Sequence, residues 1–128
     1  MAAHIENYYL DLCLTGMGSE ANKITLCTTE PTSYTEGNST YPIASATGGA
    51  GYTAPLIAAP AARAGNGRQV STAVISGAAV SGTGTAAWVA FLNTTASRLV
   101  AVLAMTSQAL TSGNTWGAAS VTIGMPNQ

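Results

Sequence analysis

A chain of 128 residues suits one domain with a real hydrophobic core. Only 7 % of it is charged, four basic against five acidic side chains, for a net charge of -1. That excludes the basic footprint of a nucleic-acid binder and the high-charge signature of a disordered segment.

So few charges also give a monomer little electrostatic protection against self-association, so partners are expected to cover much of the surface. A monomer kept soluble by Ser and Thr is the alternative. The first residues, MAAHIENYY, lack a basic stretch followed by an apolar one, and no signal peptide is expected. Apolar runs such as residues 99–105 fall short of the ~20 residues that span a bilayer, so no membrane partner is expected. Both points suggest synthesis in a cytoplasm, with Cys13 and Cys27 reduced. A disulfide between them stays open for a particle that leaves the cell.

Residues 4–14 predict a short helix. Ile5, Tyr8, Tyr9 and Leu12 recur at helical spacing and share a face. Glu6 suits the first turn, and Gly16 and Gly18 are candidate caps. A helix this short must pack on something. Residues 23–28, KITLCT, alternate as a strand covered on at least one face, ended by Pro31.

Residues 29–68 hold four of the five prolines (Pro31, Pro42, Pro55, Pro60) and the turn clusters EGNST, ATGGAGY and ARAGNGR. The expectation is an extended loop or arm, with at most short strands near residues 41–45 and 54–58. Such a length without regular structure is out of place in a compact isolated domain, so the arm is expected to reach over a neighbouring molecule. AAPAAR, residues 58–63, suits a helical turn or an extended Ala–Pro segment.

The C-terminal half is plainer. Residues 69–76 (QVSTAVIS), 85–93 (TAAWVAFLN), 98–107 (RLVAVLAMTS) and 116–125 (WGAASVTIGM) are predicted strands between Gly, Ser, Thr and Asn clusters. In the last, Ala119, Val121, Ile123 and Met125 alternate with Ser120, Thr122 and Gly124. Residues 88–92 and 99–105 are continuous enough for strands covered on both sides. A helix competes over residues 97–110, but Val100 and Val102 favour strand. Residues 93–97 and 112–114 predict hairpin turns. Small residues alternating with single large ones predict thin, closely packed sheets. The fold class is mainly β: an antiparallel β-sandwich or jelly-roll-like barrel with a short N-terminal helix and a long irregular arm. It forms one domain over residues 1–128, with the main strands in residues 69–126.

The chemistry-bearing residues are sparse. His4, the only histidine, leaves a Ser-His-Asp triad without a natural place. Glu30 and Glu36 flank Tyr34 and read as solvated loop carboxylates, not a glycosidase pair. TGGAGY and SGTGT lack the lysine and the strand–helix setting of a phosphate-binding loop. The cysteines lack the further ligands of a zinc site. No catalytic, cofactor-binding or metal residue is expected, no cofactor, and no enzyme activity. The candidate interface residues are Tyr34, Tyr41 and Tyr52, in the irregular segment, with Arg63 and Arg68, which bracket AGNG. The tyrosines would otherwise cap the ends of the sandwich. The arginines, Arg98 included, either pair with Glu across a subunit contact or stay solvated. Trp88 reads as core, while Trp116 suits either role.

The segment ITLCTTEPTSYTEG resembles a stretch in a family of small tailed-bacteriophage virion proteins. That family's pattern is a short amphipathic helix, a strand ending in Cys, and a Glu-Pro-Thr-x-Tyr element, here Glu30 to Tyr34. GRQVSTAVISGAAVSGTGTAAWVAFLN and LTSGNTWGAASVTIGMP resemble its strand–turn–strand segments, so the likeness runs over roughly residues 8–126. The Ala–Pro stretch at residues 58–64 departs from the more polar segment of the pattern. The resemblance implies a virion protein without catalytic residues. The expected function is capsid decoration, or cement: a homo-oligomer, with a trimer favoured, bound to the major capsid protein on the outside of the head shell. The protein would be made in the bacterial host cytoplasm. The alternatives are a tail, connector or fibre-associated component of the same virion, or a host-surface carbohydrate-binding module.

Overall fold

A computed structural model of the chain describes residues 7–63, 67–120 and 122–125. In chain order, helix α1 (Asn7–Glu20) leads to β1 (Lys23–Cys27), a π-helical turn (Glu36–Thr40), β2 (Pro42–Gly48) and β3 (Gly51–Tyr52). There follow β4 (Ala61–Ala62), β5 (Arg68–Ser71), β6 (Ile75–Ala79), β7 (Gly84–Asn93), β8 (Arg98–Leu110), β9 (Thr115–Ala118) and β10 (Thr122–Met125). Strand β1 is the axis of a five-stranded sheet of order β3-β2-β1-β7-β8. Its pairings with β2 and β7, and that of β7 with β8, are antiparallel, while the short β3 joins β2 in parallel. A three-stranded sheet, β10-β5-β4, and a two-stranded one, β6-β9, complete the strands, both antiparallel. The chain is thus mainly β with a short helix, an arrangement compatible with a β-sandwich.

The period-two pattern of KITLC sorts β1 onto two covered faces. Ile24 and Leu26 point inward and join Ala44, Ala46 and Phe91 against Ile75, Ala78 and Trp116 of the β6–β9 pair. Thr25 and Cys27 point outward, yet both are fully buried. The inner layers approach closely because Ala and Gly line them. A Cβ on Gly51 would lie 2.7 Å from that of Ala46 and 2.8 Å from that of Ala78.

Several expectations change. Leu10 and Leu14 are buried, with Ala21 and the half-buried Met17 on the same helical face, whereas Tyr8 and Leu12 are exposed. The inward stripe is therefore Leu10, Leu14, Met17 and Ala21, at i, i+4, i+7 and i+11. Packing on this stripe carries the helix past Gly16 and Gly18, which lie inside it and not at its cap. His4, Ile5 and Glu6 lie outside the described residues.

Residues 29–68 do not form a free arm. β2 is an interior strand of the large sheet, and β3 and β4 belong to sheets as well. The expected strand near residues 41–45 exists. Near residues 54–58 there is only a bridge from Ile57 to Thr72. Two predicted strands are each divided between sheets: residues 69–76 into β5 and β6, residues 116–125 into β9 and β10. The turn at residues 94–97 joins the paired β7 and β8. The turn at residues 112–113 makes no hairpin, since β9 pairs with β6. Residues 64–66 and Val121 lie outside the described residues.

Candidate interface on the outer face of the large sheet

The outer face of the sheet is half covered by residues 28–41, a cap stitched together by hydroxyls. Gly37 lies against it so closely that a Cβ would sit 3.2 Å from Leu92 Cδ2 and 3.3 Å from Leu99 Cδ1. Beneath, the buried Thr25 Oγ1 donates to the Gly37 carbonyl at 2.8 Å. At the rim Lys23 Nζ donates to Asn38 Oδ1 at 2.9 Å. The Glu36 carboxylate accepts from the Thr32 amide at 2.7 Å and from Thr32 Oγ1 at 2.8 Å. These two bonds, the amide first, hold its pKa below the usual carboxylate range, with help from Ser33 and Tyr41. The hydroxyls of the segment thus have a structural use: with Lys23 and Glu36 they close the cap.

The five candidate interface residues do not converge on one site. Tyr34 and Tyr41 are half-buried on the cap. Tyr52 is buried, and its hydroxyl donates to the Asn22 carbonyl at 2.8 Å; burial pushes its pKa up. It is a core residue, which removes it from the interface. Arg68 Nε meets Asp11 Oδ1 at 2.6 Å, an ion pair within the chain that ties β5 to α1. Arg63, the residue after β4, lies close to Gly124 of β10, where a Cβ would fall 2.7 Å from its Nε. Arg98 reaches Glu20 at 3.6 Å in a largely exposed pair. Arg68 and Arg98 therefore find carboxylates within the chain without a subunit contact.

The surface that the sequence reading missed lies beside the cap. The register places Trp88 next to Cys27 on one side and Ala104 on the other, and Ala90 next to Val102. Trp88, Val102 and Ala104 therefore share the outer face with Thr25 and Cys27, beyond the end that the cap covers. Trp88 and Val102 are half-buried and Ala104 is exposed. Trp116, open to either role in the sequence, is buried in the core, and Trp88, expected in the core, is the more accessible of the two. β8 forms one edge of the sheet; among the described residues no other strand pairs with its outer side. It has no charge and no proline after Arg98. Two bulges, at Val100 and over residues 105–107, leave residues 101–104 as its longest regular stretch. The sequence signal is this charge-free run, which by its continuity predicts a strand covered on both sides.

Among the described residues no three His, Cys, Asp or Glu side chains come together as a metal site would need. No described helix is long and apolar enough to cross a membrane. No family model, no curated protein and no solved structure matches the chain.

Proposed function

We propose that the chain is a structural protein of a tailed-bacteriophage virion, a capsid decoration (cement) protein that docks through the outer face of its large sheet. The observation that carries the proposal is the open apolar strip Trp88, Val102 and Ala104 beside the charge-free edge β8. Natural sheets guard long edges with lysine, proline or bulges. Here the bulges are present and the charges are not. Such a surface suits lasting contact with another protein better than permanent exposure to water. The phage resemblance of ITLCTTEPTSYTEG supports the same reading, since that segment contains β1 from Ile24 onward and most of the cap.

In this reading the protein forms homo-oligomers, with a trimer favoured, that sit on the outer head shell against the major capsid protein. Binding the assembled shell and not its free subunits shifts the equilibrium toward the intact particle. The role needs no reaction and no cofactor. The alternatives, a tail, connector or fibre-associated component, would use the same surface. A carbohydrate module would need a platform of exposed aromatic rings, and the burial of Tyr52 and Trp116 counts against it.

Electron cryomicroscopy of the phage that encodes the chain, with copy number from gel densitometry, tests the proposal. Hundreds of copies on the head, with Trp88 at the shell contact, are expected. A single ring of copies at the neck or tail would overturn it.

A further inference from the structure

The two faces of α1 differ sharply. Leu10, Leu14, Met17 and Ala21 pack on the core. The opposite face carries Tyr8, Leu12, Thr15, Gly16 and Ser19, all exposed. Tyr8 is 67 % and Leu12 52 % exposed, two of the three exposed large hydrophobic side chains among the described residues. They stand one turn apart. The helix has only two charges, Asp11 and Glu20, and both lie on the flanks of this face. Each is drawn to an arginine of its own chain, Asp11 to Arg68 and Glu20 to Arg98. The outward face is therefore neutral and partly apolar.

Gly16 is the second observation. Glycine inside a helix is less favourable than alanine, so it wants a reason. At Gly18 a Cβ would touch Ile57 of the same chain, 3.6 Å away. At Gly16 it would meet nothing within 4 Å. Nothing within the chain excludes a methyl group there. The missing side chain leaves a notch, one turn along the face from the Leu12 knob. A notch of this kind lets another backbone approach closely. Knob and notch on one face also match themselves. A two-fold axis across the helix at the level of residue 14 sets Leu12 of each copy at Gly16 of the other, with the helices antiparallel. A neutral face meets its own copy without repulsion. An unrelated partner would account for the exposed Leu12, but not for its spacing from Gly16.

We propose that α1 pairs with α1 of a second copy of this chain, antiparallel about a two-fold axis, with Leu12 of each copy seated on Gly16 of the other. A helix of 14 residues is about 21 Å long, too short to bury the ~800 Å² per partner of a standard interface, so the free protein is a weak dimer. The contact is separate from the sheet face that docks on the shell, and from any trimer formed there. It stands or falls independently of both.

Sedimentation equilibrium of the purified full chain, from about 10 µM to about 1 mM, should show a reversible monomer–dimer equilibrium. Gly16→Ala should act in opposite directions on folding and pairing. Its melting temperature at low concentration should rise by about 2–5 °C, since alanine favours the helix. Its dimer affinity should fall at least fivefold, since the added methyl fills the notch. Leu12→Glu should abolish the dimer and keep the circular dichroism of the parent, because the side chain is exposed in the monomer. A nitroxide on the exposed Cys13 locates the contact. Mixed with nitrogen-15 copies that carry no label, it should broaden amide signals around Thr15, which the axis sets opposite residue 13. A chain that stays monomeric over the whole range overturns the proposal. So does a dimer that both variants leave intact, or broadening confined to β8, which would place the contact at the sheet edge. If the chain is monomeric and Leu12→Glu weakens binding to the shell, a capsid protein covers the helix and the proposal fails.

Discussion

Gly51 occupies a position that no other residue fits. Its φ is +119°, and a Cβ would meet Ala46 and Ala78 within 2.8 Å. Both obstacles belong to the closely packed inner layers, so neither can swing aside as a long side chain would. Gly51→Ala combines backbone strain with overpacking and should destabilise the fold by about 2–5 kcal/mol. Urea denaturation measures this; a loss under about 1 kcal/mol would mean that the layers yield. The two cysteines give a second residue-scale prediction. Both are free, Cys13 exposed on α1 and Cys27 buried under the cap. Burial pushes the Cys27 thiol up, opposed by its hydrogen bond with Thr25. A thiol reagent such as Ellman's should therefore titrate one cysteine quickly in the native protein and two in denaturant. Equal native rates would show that the cap opens readily.

At the scale of elements, the cap is where sequence and structure differ most. It is held on by Thr25, Gly37 and Glu36, and of these only Glu36 titrates. Its folded pKa is depressed, so ionised Glu36 stabilises the cap above the unfolded value, about 4.3. That contribution is lost as pH falls through the lower folded value. The Thr32 amide, its closest donor, should show an NMR titration with a midpoint below the ordinary glutamate range, absent in Glu36→Gln. A midpoint at or above that range would refute the hydrogen-bonded carboxylate. β1, β7 and β8 were legible because bulky β-branched and aromatic residues recur in them. β2 was legible only as a short strand near residues 41–45, because PIASATG offers one large side chain, and its buried Ala44 and Ala46 read like turn residues. The helix face is not legible because the predicted helix ends at residue 14, while the inward stripe continues to Met17 and Ala21. Nor does a period of two reveal that a chain leaves one sheet for another, as it does between β5 and β6 and between β9 and β10.

For the whole molecule, the decisive fact is how its few charges are used. Arg68 is committed to Asp11, Arg98 to Glu20 and Lys23 to Asn38. The open strip of the outer face, Trp88, Val102 and Ala104, offers apolar side chains and no charge. Docking there should then depend on area removed from water, at roughly 25 cal/mol per Å², and little on screening. Raising sodium chloride from about 50 mM to about 500 mM should change affinity for the shell less than about twofold, since exposed charge pairs alone are strongly screened. Val102→Lys puts a charge in the middle of the open strip, beside Ala90 on a half-buried position. Its long side chain can reach solvent, so the domain should keep its circular dichroism and a melting temperature within a few degrees of the parent. Binding should nevertheless fall at least tenfold, because the charge must be buried when the face is covered. Trp88→Ala should act in the same direction by removing the largest ring on the strip. If both variants bind normally while high salt releases the protein, the contact is electrostatic and lies elsewhere, and the outer face of the sheet is not the docking surface.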